Sequence, residues 1–209
     1  MTDKPTLRRL MRSRLASLSH EERALSSEKI REGLKSLLAT PSPSSPPSRE
    51  GKTNSLPPWG GGVGRGGILG FLALPGEPHL VPFYRELQAS GILVAVPKLA
   101  DNRIVPVELP SDPAQLRPGL YGILEPTQPK IVPLSSLSLV LCPGLAFSPL
   151  GARLGRGGGH FDRFLAESRL PAWGVGFSTQ MLEEIPTESW DQRMVKIITE
   201  EGTLSLPSP

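Results

Sequence analysis

The chain of 209 residues carries a single cysteine, Cys142, which excludes an intramolecular disulfide framework and any CxxC metal site and makes a reducing compartment the expectation. Aromatic residues are only 5% of the total. That is too few for the interleaved basic and aromatic surface that binds nucleic acid, and the formal net charge of +3 sits mostly in the first helical stretch. No apolar run approaches the roughly 18 residues of a membrane span. The first residues lack the long apolar stretch of a secretory signal, and Asp3, Glu21 and Glu22 count against a transit peptide. A cytoplasmic protein is therefore expected, monomeric, with no membrane or nucleic-acid partner.

Proline (24) and glycine (22) are plentiful instead, above average usage. The length suits one domain, 1–209, with a sizeable core. Residues 3–18 place Leu7, Leu10, Met11, Leu15 and Leu18 at helical spacing, with Arg8, Arg9, Arg12 and Arg14 between them, an amphipathic helix with a basic outer face. Ser19 and Glu22 form an S-x-x-E capping box that starts a second helix through Leu25, Ile30, Leu34 and Leu37. From Pro41 to Gly67, 18 of 27 residues are Pro, Ser or Gly, a composition expected to form a disordered insertion.

Beyond Gly67 the pattern becomes short apolar runs separated by turns and helical stretches. "ILGFLAL" (68–74), "ILVAVPKL" (92–99), "LSLVLC" (137–142) and "WGVGF" (173–177) read as buried strands, with "RIVPVEL" and "MVKIIT" as weaker or edge strands and helices near 79–90 and 159–168. This alternation predicts an α/β fold: a three-layer domain with a largely parallel central sheet flanked by helices. Ligands of such sheets bind at the carboxyl ends of the strands.

Two glycine clusters compete for a phosphate role. "GVGRGG" (62–67) matches G-x-G-x-x-G in form, but a Pro/Ser/Gly segment precedes it and a strand follows, the reverse of what the dinucleotide fingerprint needs. "RLGRGGGHFDR" (153–163) fails that pattern and is not a Walker A loop, yet it lies between a strand and a helix. There glycines let backbone N–H groups approach oxyanions and the helix start adds favourable partial charge. Arg153, Arg156 and Arg163 can supply charge-assisted bonds to phosphate, and Asp162 can hold Mg²⁺. Spacing alone serves an ordinary strand-to-helix loop with surface arginines equally well. Cys142 reads as packing, Ser148 lacks the setting of a hydrolase elbow, and neither His20 nor His79 has a partner at metal-ligand spacing.

The string "PGLAFSPLGARLGRGGGHFDRFL" closely resembles the signature of 5-formyltetrahydrofolate cyclo-ligases, also called 5,10-methenyltetrahydrofolate synthetases. In the same order, "KPTLR", "FLALPGEPHL", "YGILEP" and "IPTESWDQRMVKIIT" resemble further elements of that family. The resemblance covers the chain apart from 41–67 and the last few residues. It implies a NagB/RpiA/CoA-transferase-like fold and an ATP- and Mg²⁺-dependent cyclisation in which ATP phosphorylates the formyl oxygen of 5-formyltetrahydrofolate. N10 then attacks, and ADP and phosphate leave with 5,10-methenyltetrahydrofolate as product.

Carried over position by position, the resemblance assigns ATP contacts to Lys4, Arg8, Arg153, Leu154, Gly155, Arg156, Gly157, Gly158, Gly159, His160 and Phe161. It assigns folate contacts to Leu72, Glu77, Tyr121, Arg156, Gly157, Gly158, Gly159 and His160, and the metal to Asp162 and Asp191. Arg156 and Glu125 are the catalytic candidates. Without the resemblance, Lys4 and Arg8 read as a solvated basic face, Glu77 as a residue favoured by a helix dipole, Tyr121 as a core tyrosine, and Glu125 and Asp191 as turn residues.

The chain departs from the family pattern at Ser138 and Ser148, where aspartates are common, and at His160–Phe161, where two tyrosines are usual. Two other functions fit the fold: an ATP-binding paralogue with another substrate, or a non-catalytic folate or nucleic-acid binding protein. Deleting residues 41–66 is expected to leave turnover of the purified protein largely intact, since each doubling of loop length changes closure by only about 0.6 kcal/mol. An insoluble deletion protein would mean that the segment packs.

Overall fold

The computed structural model describes residues 3–39, 66–119 and 122–206. Helix α1 (Lys4–Ala16) is capped by Asp3, whose carboxylate accepts from Thr6 N–H, and has a proline in its first turn, where the missing N–H is harmless. Helix α2 (His20–Ala39) begins at the expected capping box: Ser19 N–H donates to Glu22 Oε2 and Glu22 N–H to Ser19 Oγ. The remaining helices are α3 (Val81–Ala89) and α4 (His160–Ser168), close to the spans read from the sequence. No helix among the described residues is long and apolar enough to cross a membrane.

The strands are β1 (Gly67–Leu69), β2 (Val94–Ala100), β3 (Arg103–Glu108), β4 (Leu116–Pro118), β5 (Leu124–Pro126), β6 (Leu137–Cys142), β7 (Ala146–Phe147), β8 (Arg153–Leu154), β9 (Ala172–Val175), β10 (Lys196–Thr199) and β11 (Gly202–Ser205). Seven of them form one sheet in the order β11-β10-β9-β6-β1-β2-β3. The inner pairings are parallel; only the outermost strands, β3 and β11, pair antiparallel. β4–β5 and β7–β8 are separate two-stranded hairpins.

Alternation along the strands builds two cores, because successive side chains point to opposite faces. Ile68, Val94, Val96, Leu139, Leu141, Val175 and Ile198 pack with Met11 of α1, Ile30 and Leu34 of α2, and Phe83 and Leu87 of α3. Leu69, Ala95, Val140, Cys142 and Ile197 pack with Phe164 and Leu165 of α4. The result is the expected three-layer arrangement. Burial pushes the Cys142 thiol up to about 12, so it is an inert packing group, as read from the sequence.

The segment 41–67 ends differently from the sequence expectation. Its residues through 65 lie outside the described residues, but Gly67 opens β1. A Cβ there would stand 2.5 Å from Leu93 O, so only glycine lets the strand edge close. Ser138, one of the two lost aspartates, donates to Gly66 O and Gly67 O, bonds that a carboxylate has no proton to make. The cleaner deletion therefore ends at residue 65. Ser148, the other departure, accepts from Ala152 N–H and holds the turn before β8.

The order of strands around β1 positions the ligand region. From β1 the chain crosses to β2 on one side, and the next strand of this sheet after the β2–β3 hairpin, β6, lies on β1's other side. Strand order thus reverses between β1 and β6, and the carboxyl ends flanking such a reversal leave a crevice.

Candidate active site

The crevice is a cavity of about 630 Å³, and the residues lining it come from just beyond those strand ends. Phe71, Leu74, Pro75 and Glu77 follow β1, Pro143 and Gly144 follow β6, and Pro97 and Leu99 lie on β2. The strand end after β1 is held by Tyr84, which is fully buried in α3. Its hydroxyl accepts from Phe71 N–H and donates to Phe71 O, and burial keeps the phenol protonated by raising its pKa. Gly70 is required there, since a Cβ would meet the Tyr84 hydroxyl at 2.5 Å.

Glu77 is a buried charge that lies four residues before α3 rather than at its start. Its Oε2 accepts from Leu74 N–H at 2.9 Å, and its Oε1 takes Arg156 Nε and Nη2 at 2.9 and 2.8 Å. Burial raises the carboxyl's pKa, opposed in part by the Arg156 guanidinium and the Leu74 hydrogen bond. Arg156 also donates to Pro75 O at 3.3 Å. Glu125, on the β4–β5 hairpin, lines the same cavity 3.4 Å from Lys98 Nζ. Leu72 does not join them: it packs in the core, while its neighbours Phe71 and Leu74 face the cavity. Tyr121 lies outside the described residues.

The glycine loop between β8 and α4 lies along this cavity and along a second one of about 430 Å³, with Arg153, Gly155, Gly158, Gly159 and Asp162 lining both. Gly157 (φ 115°) and Gly159 (φ 64°) adopt left-handed conformations that glycine takes at little cost, and Gly159 is the N-cap of α4. The basic face of α1 is not merely solvated. Arg8 Nε donates to Gly155 O and Arg12 Nη2 to Arg156 O, which ties the first helix to the loop.

Arg153 is set deeper than a surface phosphate ligand. Its side chain is 4% exposed and donates to Asp162 Oδ2 at 2.8 Å and to Pro143 O at 3.2 Å. Its Nε is buried with no hydrogen-bond partner among the described residues, although other parts of the residue line both cavities. Arg163 lines the smaller cavity and His160 the larger, and both are docked on a neighbouring turn. Arg163 Nη2 donates to Asn102 O at 3.0 Å, and His160 Nδ1 lies 3.2 Å from the same oxygen. That oxygen belongs to the tight β2–β3 turn, where Asp101 and Asn102 both have positive φ, as a two-residue hairpin loop requires. The substituted histidine thus keeps its place on the cavity wall by docking on a neighbouring turn.

The smaller cavity gathers Lys4, Arg8, Asp162 and Asp191 from positions far apart in sequence. Lys4 Nζ binds Asp191 Oδ2 and Glu188 Oε2, both at 2.6 Å. Burial lowers the Lys4 pKa, but these two carboxylates outweigh it and hold the ammonium above its usual range. Asp191 uses Oδ2 for this bond and for accepting Glu188 N–H. No cluster of three or more metal-ligating side chains occurs among the described residues. Asp162 and Asp191 both line this cavity beside the glycine loop, Asp162 using Oδ2 for Arg153 and Oδ1 to accept from Gln192 N–H; they are the carboxylates here that could hold Mg²⁺ together with phosphate oxygens and water. Glu188 and Trp190 escaped the sequence reading, which marked only Asp191 in "ESWDQ"; no spacing rule flags them, because Lys4 grips the turn at Glu188 and Asp191 across 184 and 187 residues and Trp190 lies within that turn.

Residues 67–200 match the family model described as the 5-formyltetrahydrofolate cyclo-ligase family. A 5-formyltetrahydrofolate cyclo-ligase of Mycolicibacterium smegmatis is 30% identical over 162 residues, 72% of this chain and 83% of the relative. One from Escherichia coli K12 is 30% identical over 138 residues, 62% and 75% of the two chains. Among solved structures, the 5,10-methenyltetrahydrofolate synthetase of Aquifex aeolicus superposes with a TM-score of 0.77 at 27% identity, covering 99% of this chain and 94% of that one.

Proposed function

The chain belongs to the 5-formyltetrahydrofolate cyclo-ligase family, and from that premise we propose that it converts 5-formyltetrahydrofolate to 5,10-methenyltetrahydrofolate, consuming ATP and releasing ADP and phosphate. The observation that carries this reading is one glycine loop shared by two cavities of different character. The larger is walled by Phe71, Leu74, Pro97 and Leu99 around Glu77, Glu125 and Arg156, the mix of apolar wall and a few oriented polar groups that suits a flat heterocycle. The smaller is lined by Lys4, Arg8, glycines and acids, which suits a triphosphate.

The residues then divide the work. Glu77 accepts N–H groups from the aminopyrimidine edge and fixes the pterin, its carboxylate held in place by Arg156 and Leu74. Arg156 stands on the loop common to both cavities and stabilises charge on the formyl oxygen as the phosphoryl group reaches it. Lys4 and Arg8 orient the phosphates, with Arg153 beneath them holding Asp162 in place. Asp162 and Asp191 would hold Mg²⁺, which when bound offsets phosphate charge. The formyl oxygen attacks the terminal phosphorus and ADP leaves. N10 then adds to the activated carbon, and its proton and the phosphate depart as the ring closes. An amide-like oxygen leaves poorly and phosphate leaves well, so positioning and charge stabilisation carry the catalysis.

The reading is tested by following methenyl-folate absorbance with purified protein. Turnover that requires 5-formyltetrahydrofolate, ATP and Mg²⁺ together is expected. Well-folded protein that binds ATP yet forms no methenyl product would point to a paralogue with another substrate.

A further inference from the structure

Trp190 stands out among the described tryptophans. Its side chain belongs to a residue 64% exposed, whereas Trp173 is 3% exposed. What sets it apart is position, since an open indole face beside a cavity can stack on a planar ring. The anchoring here is explicit. Asp191 N–H donates to Glu188 O, closing a turn across Ser189 and Trp190, Glu188 N–H donates to Asp191 Oδ2, and Gln192 Nε2 donates to Trp190 O. Lys4 then grips both acidic ends of that turn. Trp190 lines the smaller cavity, and it is the only aromatic residue to do so among the described residues.

We propose that Trp190 is the stacking platform for the nucleobase in this cavity, with the indole covering the adenine while the triphosphate extends to the glycine loop. The proposal rests on the reading of the cavity as the ATP site and adds the element which that reading lacks. The other lining residues are charged, small or aliphatic and offer nothing flat to a purine. Stacking needs only a π-face, so a single indole suffices without hydrogen-bonded readout. The turn fixes the backbone at Trp190 before ligand arrives, so on binding only the indole's own rotamer remains to be ordered.

The test is steady-state kinetics at saturating 5-formyltetrahydrofolate and Mg²⁺ for wild type, Trp190→Ala and Trp190→Phe, with inorganic tripolyphosphate as a competitor of ATP. Trp190→Ala is expected to raise KM for ATP about tenfold with kcat nearly unchanged, and Trp190→Phe to restore most of the affinity. The inhibition constant of tripolyphosphate, which has no base to stack, should stay the same in all three. An unmoved KM in Trp190→Ala overturns the proposal, as does a parallel weakening of tripolyphosphate, which would assign Trp190 to the shape of the turn. Absence of ATP-dependent turnover in the wild type overturns the reading of the cavity and the stacking role together, whereas wild-type turnover with an unmoved KM removes only the stacking role.

Discussion

Arg156→Ala is expected to lower kcat/KM for methenyl-folate formation by about 100-fold or more, the loss that follows removal of one preorganised charge-stabilising donor. Its guanidinium reaches Glu77 through two nitrogens, so the substitution also strips the counter-charge from a carboxylate whose side chain is only 4% exposed. Burial already raises the Glu77 pKa and Arg156 opposes that rise; without the arginine the pKa moves further up. If ionised Glu77 holds the pterin, the acid limb of the pH–rate profile shifts to higher pH in the variant. Folding should lose about 1–3 kcal/mol near neutrality, the cost of leaving a buried polar group unmatched. The sign of the pH dependence follows: the folded pKa exceeds the unfolded one, so protonation relieves the defect and the loss shrinks as pH falls. Arg156→Lys keeps the charge but not the fork and should recover only part of the activity. Arg156→Ala with unchanged kinetics and an unshifted acid limb would remove Arg156 from the reaction.

Asp162→Asn is expected to produce two effects. As a proposed Mg²⁺ ligand, Asp162 should reduce ATP-dependent turnover by about 100-fold when neutralised. From sequence alone, that loss is expected with little change in folding. The structure alters the second half of the expectation, because Asp162 is the counter-ion of Arg153, whose side chain is 4% exposed. Removing one charge of a buried pair leaves the other uncompensated, here about 2–4 kcal/mol against the usual range for such breaks. For a chain of this size the thermal midpoint should fall by about 5–10 °C. Thermal unfolding and turnover are measured on the same preparation. A lowered midpoint with intact turnover would leave Asp162 as a structural counter-ion and take it out of the metal site.

Much of the layer arrangement was legible because the strands buried on both faces are continuous apolar runs. "LSLVLC" maps residue for residue onto β6, and the S-x-x-E box starts α2 where expected. Local hydrogen-bond chemistry decides such features, and local chemistry is written in adjacent residues. The short hairpins β4–β5 and β7–β8 and the edge strand β11 were missed. Two or three residues carry too little periodicity to register, and β11 is exposed throughout. At the site, the glycine loop and Glu77 could be picked out, but not their partnership, since the Arg156–Glu77 bond spans 79 positions. Arg153 is the sharpest revision. Among arginines in a glycine loop it looked like its neighbours, and only its burial against Asp162 and Pro143 sets it apart.

The bonds from Lys4 to Glu188 and Asp191 join positions 184 and 187 residues apart, which makes the smaller cavity a product of both ends of the chain. During synthesis the glycine loop emerges well before its acidic turn. A chain stalled at β9 would therefore hold the loop and the amino-terminal cations without the turn that closes the site over them. Competence for nucleotide should appear late and all at once, with the closing of a contact of very high sequence separation. A ribosome-bound fragment ending before Glu188 would lack that turn along with β10 and β11 and is expected to bind no nucleotide.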